Sequence, residues 1–212
     1  MKLFYTPGAC SLSPHIALEE VGANFTLERV DLKTKKTESG ADFTTINSKG
    51  YIPALLLDDG SLLTEGTVIA QYVADLKPES GLALLAGTAE RYRLMEWLSF
   101  ISTELHKPMG SLFNPAQSAD WKQAATGNLN KRLDWLSGAL AGKNWLMGDK
   151  FTVADAYLFT VLGWSKVVGF SLDNWPDLQA FAGRVAARPA VQRAMKAEGL
   201  ISDRLESVRQ TP

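Results

Sequence analysis

Cysteine is nearly absent. Of 212 residues only Cys10 carries a thiol, so no disulfide can form within the chain and no multi-cysteine metal site is possible. Histidine is almost as scarce: His15 and His106 stand far apart, and no metal-ligand spacing occurs around them. Excess charge is missing as well, with 22 Lys plus Arg against 23 Asp plus Glu and no basic cluster, so no nucleic-acid partner is expected. Long apolar runs are lacking. The richest stretch, Val153 to Phe170, is broken by Asp155 and Lys166 and reads as a buried helix, not a bilayer span. The start, Met1 to Gly8, has no long apolar core followed by a small-residue cleavage site. A soluble cytoplasmic protein without a membrane partner is the expectation. Glycine-rich phosphate loops and a Ser/His/Asp nucleophile elbow are absent too.

What is present is an ordinary globular composition, 46% hydrophobic and 21% charged, long enough for between one and two domains. Residues 1–77 alternate strand-like and helix-like segments. Leu3-Phe4-Tyr5 is a short apolar strand stopped by Pro7-Gly8. Ser13-Pro14 then suits a helix start, with Ser13 as N-cap, and Gly22 sits where a C-terminal cap belongs. Phe25-Thr26-Leu27 predicts a second strand, and Lys33 to Gly40 a surface loop. Pro53 to Leu57 and Ser61 to Thr64 flank Asp58-Asp59-Gly60, a hairpin signal. Val68, Ile69, Tyr72, Val73 and Leu76 recur at helical spacing. This order predicts a small mixed sheet with helices against it.

A linker over 78–86 separates that half from 87–212, where everything reads as helix. Leu94, Leu98, Ile101 and Leu105 form one stripe, and Leu129, Leu133, Leu136 and Leu140 another. Thr152-Val153-Ala154-Asp155 has the form of a capping box with Asp in the usual Glu position. Pro176 starts a further helix, and Pro189 divides it from the last.

Four places could carry chemistry. Cys10 lies between a strand end and a helix start, where backbone N–H groups favour a thiolate, either its own or that of a bound thiol. The dipole at such a start supplies only ~0.3–1 kcal/mol, so a second donor is needed, and Ser11 and His106 are candidates. The bland reading is that Cys10 is a small buried hydrophobe. Ile52-Pro53 precedes an apolar strand; a cis bond there would leave the Ile52 main chain free to pair with an extended peptide, whereas base rates favour an ordinary trans proline. Thr64-Glu65-Gly66-Thr67 precedes an amphipathic helix. Its free N–H groups suit a carboxylate and Glu65 suits an ammonium, or Glu65 is simply a favourable acid beside a helix start. Ser99, Thr103 and His106 share a helical face, followed by Lys107 and then Pro108, which ends or kinks the helix; the stripe is a cleft wall or a solvated face.

Taken in order, these segments resemble a known family. Met1-Lys2-Leu3-Phe4-Tyr5-Thr6-Pro7-Gly8-Ala9-Cys10-Ser11-Leu12-Ser13-Pro14-His15 is similar to the start of bacterial beta-class glutathione S-transferases. The similarity continues in Asn47 to Leu55, Leu63 to Gly66, Glu104 to Lys107 and the capping-box segment Phe151 to Asp155. The resemblance implies a thioredoxin-like α/β N-terminal domain (1–77), an all-α C-terminal domain and a homodimer. It implies glutathione as co-substrate, with no other cofactor and no metal, and small hydrophobic electrophiles as the second substrate. Cys10 would touch the glutathione sulfur, helped by Ser11 and His106. Ile52 beside cis-Pro53 would pair with the cysteinyl backbone. Glu65 and Gly66 would hold the γ-glutamyl end and Lys35 would face the glycyl end. Ser99, Thr103, Glu104, His106 and Lys107 would close the site. Many relatives have Asn where Ser99 stands and Ser where Gly66 stands, so both positions reach less far here. The implied activity is conjugation of the glutathione thiolate to electrophiles, with thiol-disulfide exchange or peroxide reduction as side activities. The alternative is a non-catalytic ligand-binding or adaptor protein on the same fold. Phe113, Trp164 and the loop at Gly8 are expected to wall the electrophile pocket.

Overall fold

The computed structural model describes residues 1–202. Four strands form one mixed sheet, β1 (Lys2–Tyr5), β2 (Thr26–Arg29), β3 (Ala54–Leu56) and β4 (Leu62–Thr64), in the order β2-β1-β3-β4. β1 runs parallel to β2 and antiparallel to β3, and β3 pairs antiparallel with β4 across the Asp58-Asp59-Gly60 turn, where Gly60 takes a φ of 84°. The period of two along β1 divides the sheet faces. Leu3 and Tyr5 pack with α1 (Leu12–Val21) and α3 (Gly66–Asp75), while Phe4 joins Val30, Ile52, Ala54 and Phe43 of the short α2 (Phe43–Ile46) on the other face. The small mixed sheet with helices against it matches the expectation from strand and helix order, and its thioredoxin-like form matches what the resemblance implies.

α1 begins earlier than its sequence suggests. Ser11, not Ser13, precedes the first helical residue, and Ser11 caps with no side-chain bond. Pro14 therefore sits inside the first turn, where a missing N–H still costs nothing. Gly22 ends the helix in the left-handed region at φ 64°, as expected.

Beyond a 3-10 turn at Pro78–Ser80, all regular structure among the described residues is helical: α4 (Ala89–Phe100), α5 (Lys107–Ser111), α6 (Ala119–Leu140), α7 (Val153–Gly163), α8 (Pro176–Ala186) and α9 (Pro189–Ala197). Residues 203–212 of the expected helical domain lie outside the described residues. Both leucine stripes are buried as predicted. Between α4 and α5 the helix does not stop at Pro108. It widens into a π turn over Ile101–His106 and continues with the proline in the first turn of α5. α7 is buried on nearly all sides and begins with the predicted capping box. Asp155 accepts from the Thr152 N–H at 2.8 Å and from the Leu146 N–H at 2.8 Å. No helix among the described residues is long and apolar enough to cross a membrane.

Candidate active site

Residues of both halves line one cleft. One wall is the sheet domain. β1 ends at Tyr5 and the turn through Gly8 delivers Cys10 to the start of α1. Facing it, Ile52 and a cis Pro53 lead into β3, and Glu65 and Gly66 lead from β4 into α3. The two loops touch: a Cβ on Gly66 would stand 3.3 Å from the Pro53 ring. The opposite wall is helical, with Ser102 and His106 from the π turn and Tyr157 from α7.

Cys10 is a thiol, not a thiolate. Burial pushes it from 9.0 up to about 11, against the pull of the Cys10 and Ser11 backbone N–H groups, and the Glu65 charge adds to the rise. Its Sγ–H donates to the Ile52 carbonyl at 3.4 Å. Of the two readings of the helix start, a thiolate on Cys10 itself is thus overridden by desolvation, which leaves that of a bound thiol. Ser11 also differs from its expected role. Its buried hydroxyl donates to the Thr6 carbonyl and accepts the Thr6 N–H, both at 3.2 Å, so its backbone N–H alone favours negative charge at the cysteine sulfur.

His106 is held neutral: burial, and then the charge of Lys107, lower it from the ordinary imidazole value. Its Nδ1 meets the Tyr157 hydroxyl at 2.5 Å. Burial raises Tyr157 far above the usual phenol value, although a hydrogen bond from Ser102 opposes the rise, so the hydroxyl keeps its proton. Trp164 stacks edge-on to His106 with centroids 4.8 Å apart, and Phe113 leans on Trp164 at 5.8 Å. The Trp164 indole N–H donates to the Gly8 carbonyl at 2.9 Å. Trp164 thus joins His106, Phe113 and the Gly8 loop, but none of the three expected walls, Gly8, Phe113 and Trp164, lines the cleft itself.

Glu65 occupies a positive φ of 69°, unusual outside glycine, and costs of order 1–3 kcal/mol in strain. Its carbonyl accepts the Val68 and Ile69 N–H groups, while Gly66 and Thr67 start the helix at the cleft wall. Cys10, Ile52, Pro53, Glu65, Gly66 and His106 are thus brought together. Other expected residues are not. Lys35 gives its ammonium to the Gly50 carbonyl at 3.1 Å and does not line the cleft. Ser99 and Thr103 are exposed, with the Thr103 hydroxyl spent on the Ser99 carbonyl at 3.1 Å. Glu104 pairs with Arg132 of α6 at 2.5 Å, lining a separate cavity with Pro108, Asn128 and Lys131. Lys107 is exposed and reaches the site only through its field on His106. The helix turns Ser102, four residues before His106, into the cleft and leaves Ser99 and Thr103 on its exposed face.

Ser102, Tyr157 and Lys49 escaped the sequence reading. Tyr157 had a usable signal: it is a phenol in an otherwise apolar, wholly buried helix, and a buried hydroxyl needs a partner. Among the described residues no group of three or more His, Cys, Asp or Glu could hold a metal.

A thioredoxin-like domain docked on a helical one, with a thiol and a cis-proline loop facing a histidine and a tyrosine across the cleft, defines a two-domain thiol-handling protein. The glutathione S-transferase N-terminal domain model matches residues 1–75 and the corresponding C-terminal domain model residues 100–189. Glutathione S-transferase GstA of Escherichia coli O157:H7 is 49% identical, over 94% of this chain and all of its own. Two solved structures, a bacterial beta-class enzyme from Sphingomonas chungbukensis and a sphingomonad glutathione S-transferase complexed with glutathione, are each 50% identical. Each has a TM-score of 0.91 and covers 95% of this chain and 100% of its own. The chain belongs to the glutathione S-transferase family, and the resemblance to its bacterial beta class is borne out.

Proposed function

We propose that the protein is a glutathione transferase that binds glutathione along the Ile52 to Glu65 wall and conjugates its sulfur to small hydrophobic electrophiles. The observation that carries this reading is the joining, in one cleft, of a thiol donor, the Ile52 to cis-Pro53 main chain, an acidic helix start and a neutral imidazole. Main-chain groups of Ile52 pair with the cysteinyl residue. Glu65 takes the γ-glutamyl ammonium, and the Gly66 and Thr67 N–H groups take its carboxylate. The sulfur then lies at the mouth of α1.

There the Cys10 S–H and the backbone N–H groups of Cys10 and Ser11 stabilise the glutathione thiolate as donors. The thiolate attacks the electron-poor carbon, a C–S bond forms, and a leaving group such as halide departs with the bonding pair. A thiol near 11 is ionised at pH 7 to only about one part in ten thousand, so Cys10 attack on disulfides is a slow side reaction. This favours conjugation over redox chemistry, and the likeness to glutathione S-transferases favours an enzyme over a non-catalytic adaptor. The family likeness supports a homodimer, for which exposed Val68, Tyr92 and Met95 offer apolar surface, and a cytoplasmic site of action.

The test is retention on immobilised glutathione together with absorbance-monitored turnover of an aryl halide. A folded sample that fails both removes the enzyme reading. Sedimentation velocity tests the dimer.

A further inference from the structure

Lys49 has no part in the scheme above, yet its ammonium already stands where that scheme puts the ligand's. Its Nζ lies 2.6 Å from Glu65 Oε1 and 3.1 Å from Thr64 Oγ1. We propose that Lys49 is a built-in counter-ion of Glu65, displaced by the ligand's α-ammonium, and that it sets how sharply the cleft separates zwitterionic ligand ends from purely anionic ones. The inference rests on the glutathione reading of Glu65 and adds to it a residue that tunes specificity.

The root of Lys49 is fixed and its tip is not. Its backbone N–H donates to Asn47 Oδ1 at 3.2 Å, and Asn47 Nδ2 donates to the Tyr51 carbonyl at 2.7 Å, which braces the loop from 47 to 51. The side chain is half exposed and that of Glu65 more exposed still, so the ammonium can leave without breaking packing. Lys49 is the one lysine or arginine among the described residues lining the cleft, and Glu65 the one carboxylate. The empty cleft is therefore balanced, and Glu65 is held in its strained conformation with its charge already met.

An incoming ammonium brings a second positive charge to one carboxylate. Like charges repel at that range, so Lys49 yields or shares. The nearest anion it can then meet is the ligand's own α-carboxylate, held at the start of α3. Binding of a zwitterionic end is thus an exchange of partners: Glu65 passes from Lys49 to the ligand ammonium, and Lys49 passes to the ligand carboxylate. A ligand that lacks the amino group leaves the Lys49–Glu65 pair intact and still finds a cation beside its carboxylate. Lys49 consequently softens the preference for the amino group. An exposed pair of this kind is worth a factor of up to about five.

The experiment measures dissociation constants by titration calorimetry for glutathione and for its deamino analogue, in which hydrogen replaces the α-amino group. Wild type, Lys49→Met and Lys49→Arg are compared, each also in a Glu65→Gln background. The ratio of the two constants is expected to rise about threefold in Lys49→Met, because Glu65 then has no other cation. It is expected to stay within twofold of wild type in Lys49→Arg, and to be indifferent to Lys49→Met once Glu65 is Gln. A ratio that is unchanged or lower in Lys49→Met, or that still rises with Glu65→Gln, overturns the proposal. A wild type that binds no glutathione overturns the underlying functional reading instead.

Discussion

At Cys10 two effects oppose each other. The helix-start position is worth ~0.3–1 kcal/mol to a thiolate. Burial does more, since the thiol is pushed up from 9.0 to about 11 against the pull of the Cys10 and Ser11 backbone N–H groups. The result is a protonated donor beside the sulfur site. Alkylation by iodoacetamide is therefore expected to be slow at pH 7 and to accelerate about tenfold per pH unit until near pH 11. A rate that levels off between pH 7 and 8 would contradict this. Tyr157 supports a second prediction. Its hydroxyl is the group that His106 Nδ1 meets, so Tyr157→Phe frees the imidazole to turn. Conjugation at saturating glutathione should fall by roughly tenfold with the glutathione KM unchanged. An equal rise in KM would place Tyr157 in ligand binding.

At the scale of elements, what the sequence discloses depends on whether a pattern is regular. Leu129 to Leu140 repeats at helical spacing, and all four leucines are buried in α6. The strand and helix order of the first half, the hairpin turn and the positions of Cys10, Ile52, Pro53 and Glu65 were readable for the same reason: turn chemistry and period mark element ends. The π turn was not readable. Nothing in Ile101 to His106 announces a wider turn, whereas Ser102, four residues before His106, stands at helical spacing as legible as that of Ser99 and Thr103. The helix start at Thr152 and Asp155 was legible, and its energetics carry a prediction. Asp155 is fully buried and its carboxylate accepts from Leu146, from the Thr152 N–H and from the Thr152 hydroxyl. Asp155→Ala removes the cap and strands two backbone donors, at a cost of ~2–4 kcal/mol at pH 5 and a Tm lower by roughly 5–15 °C. Burial nonetheless raises this carboxyl from 3.8 to about 6. Its folded value lies above its unfolded one, so its contribution is full below pH 3.8 and is lost as pH rises through about 6. The Tm gap between wild type and Asp155→Ala should be narrower at pH 8 than at pH 5; a gap that widens would show that the three donors outweigh burial.

The two halves are held together chiefly around α1 and α3. Arg91 of α4 forks onto Asp75 at 2.8 and 2.7 Å, Arg188 onto Glu20 at 2.6 and 2.9 Å, and Arg193 reaches Glu19 at 2.6 Å. Solvent reaches each of these pairs, which limits each to ~0–1 kcal/mol. The contact of His15 Nδ1 with Glu198 Oε1 at 2.8 Å is different, because both side chains are fully buried. Glu198 also accepts the Gly8 N–H at 2.8 Å, while the Gly8 carbonyl accepts from Trp164. The helical half thus grips both main-chain groups of Gly8, two residues before the site cysteine. Packing adds to the grip, with Leu200 filling the space a Cβ on Gly8 would need. Glu198→Ala leaves His15 Nδ1 and the Gly8 N–H unpaired in the interior, and removing one partner of such a buried pair costs ~3–5 kcal/mol. Glu198→Gln keeps an acceptor for Gly8 and should cost less. Thermal unfolding is expected to rank wild type above Glu198→Gln above Glu198→Ala. In folded Glu198→Ala at pH 8, iodoacetamide should reach Cys10 several times faster than in wild type, because the loop before it has lost an anchor. A Glu198→Ala protein that melts with wild type and alkylates at the wild-type rate would mean that Trp164 alone positions the turn.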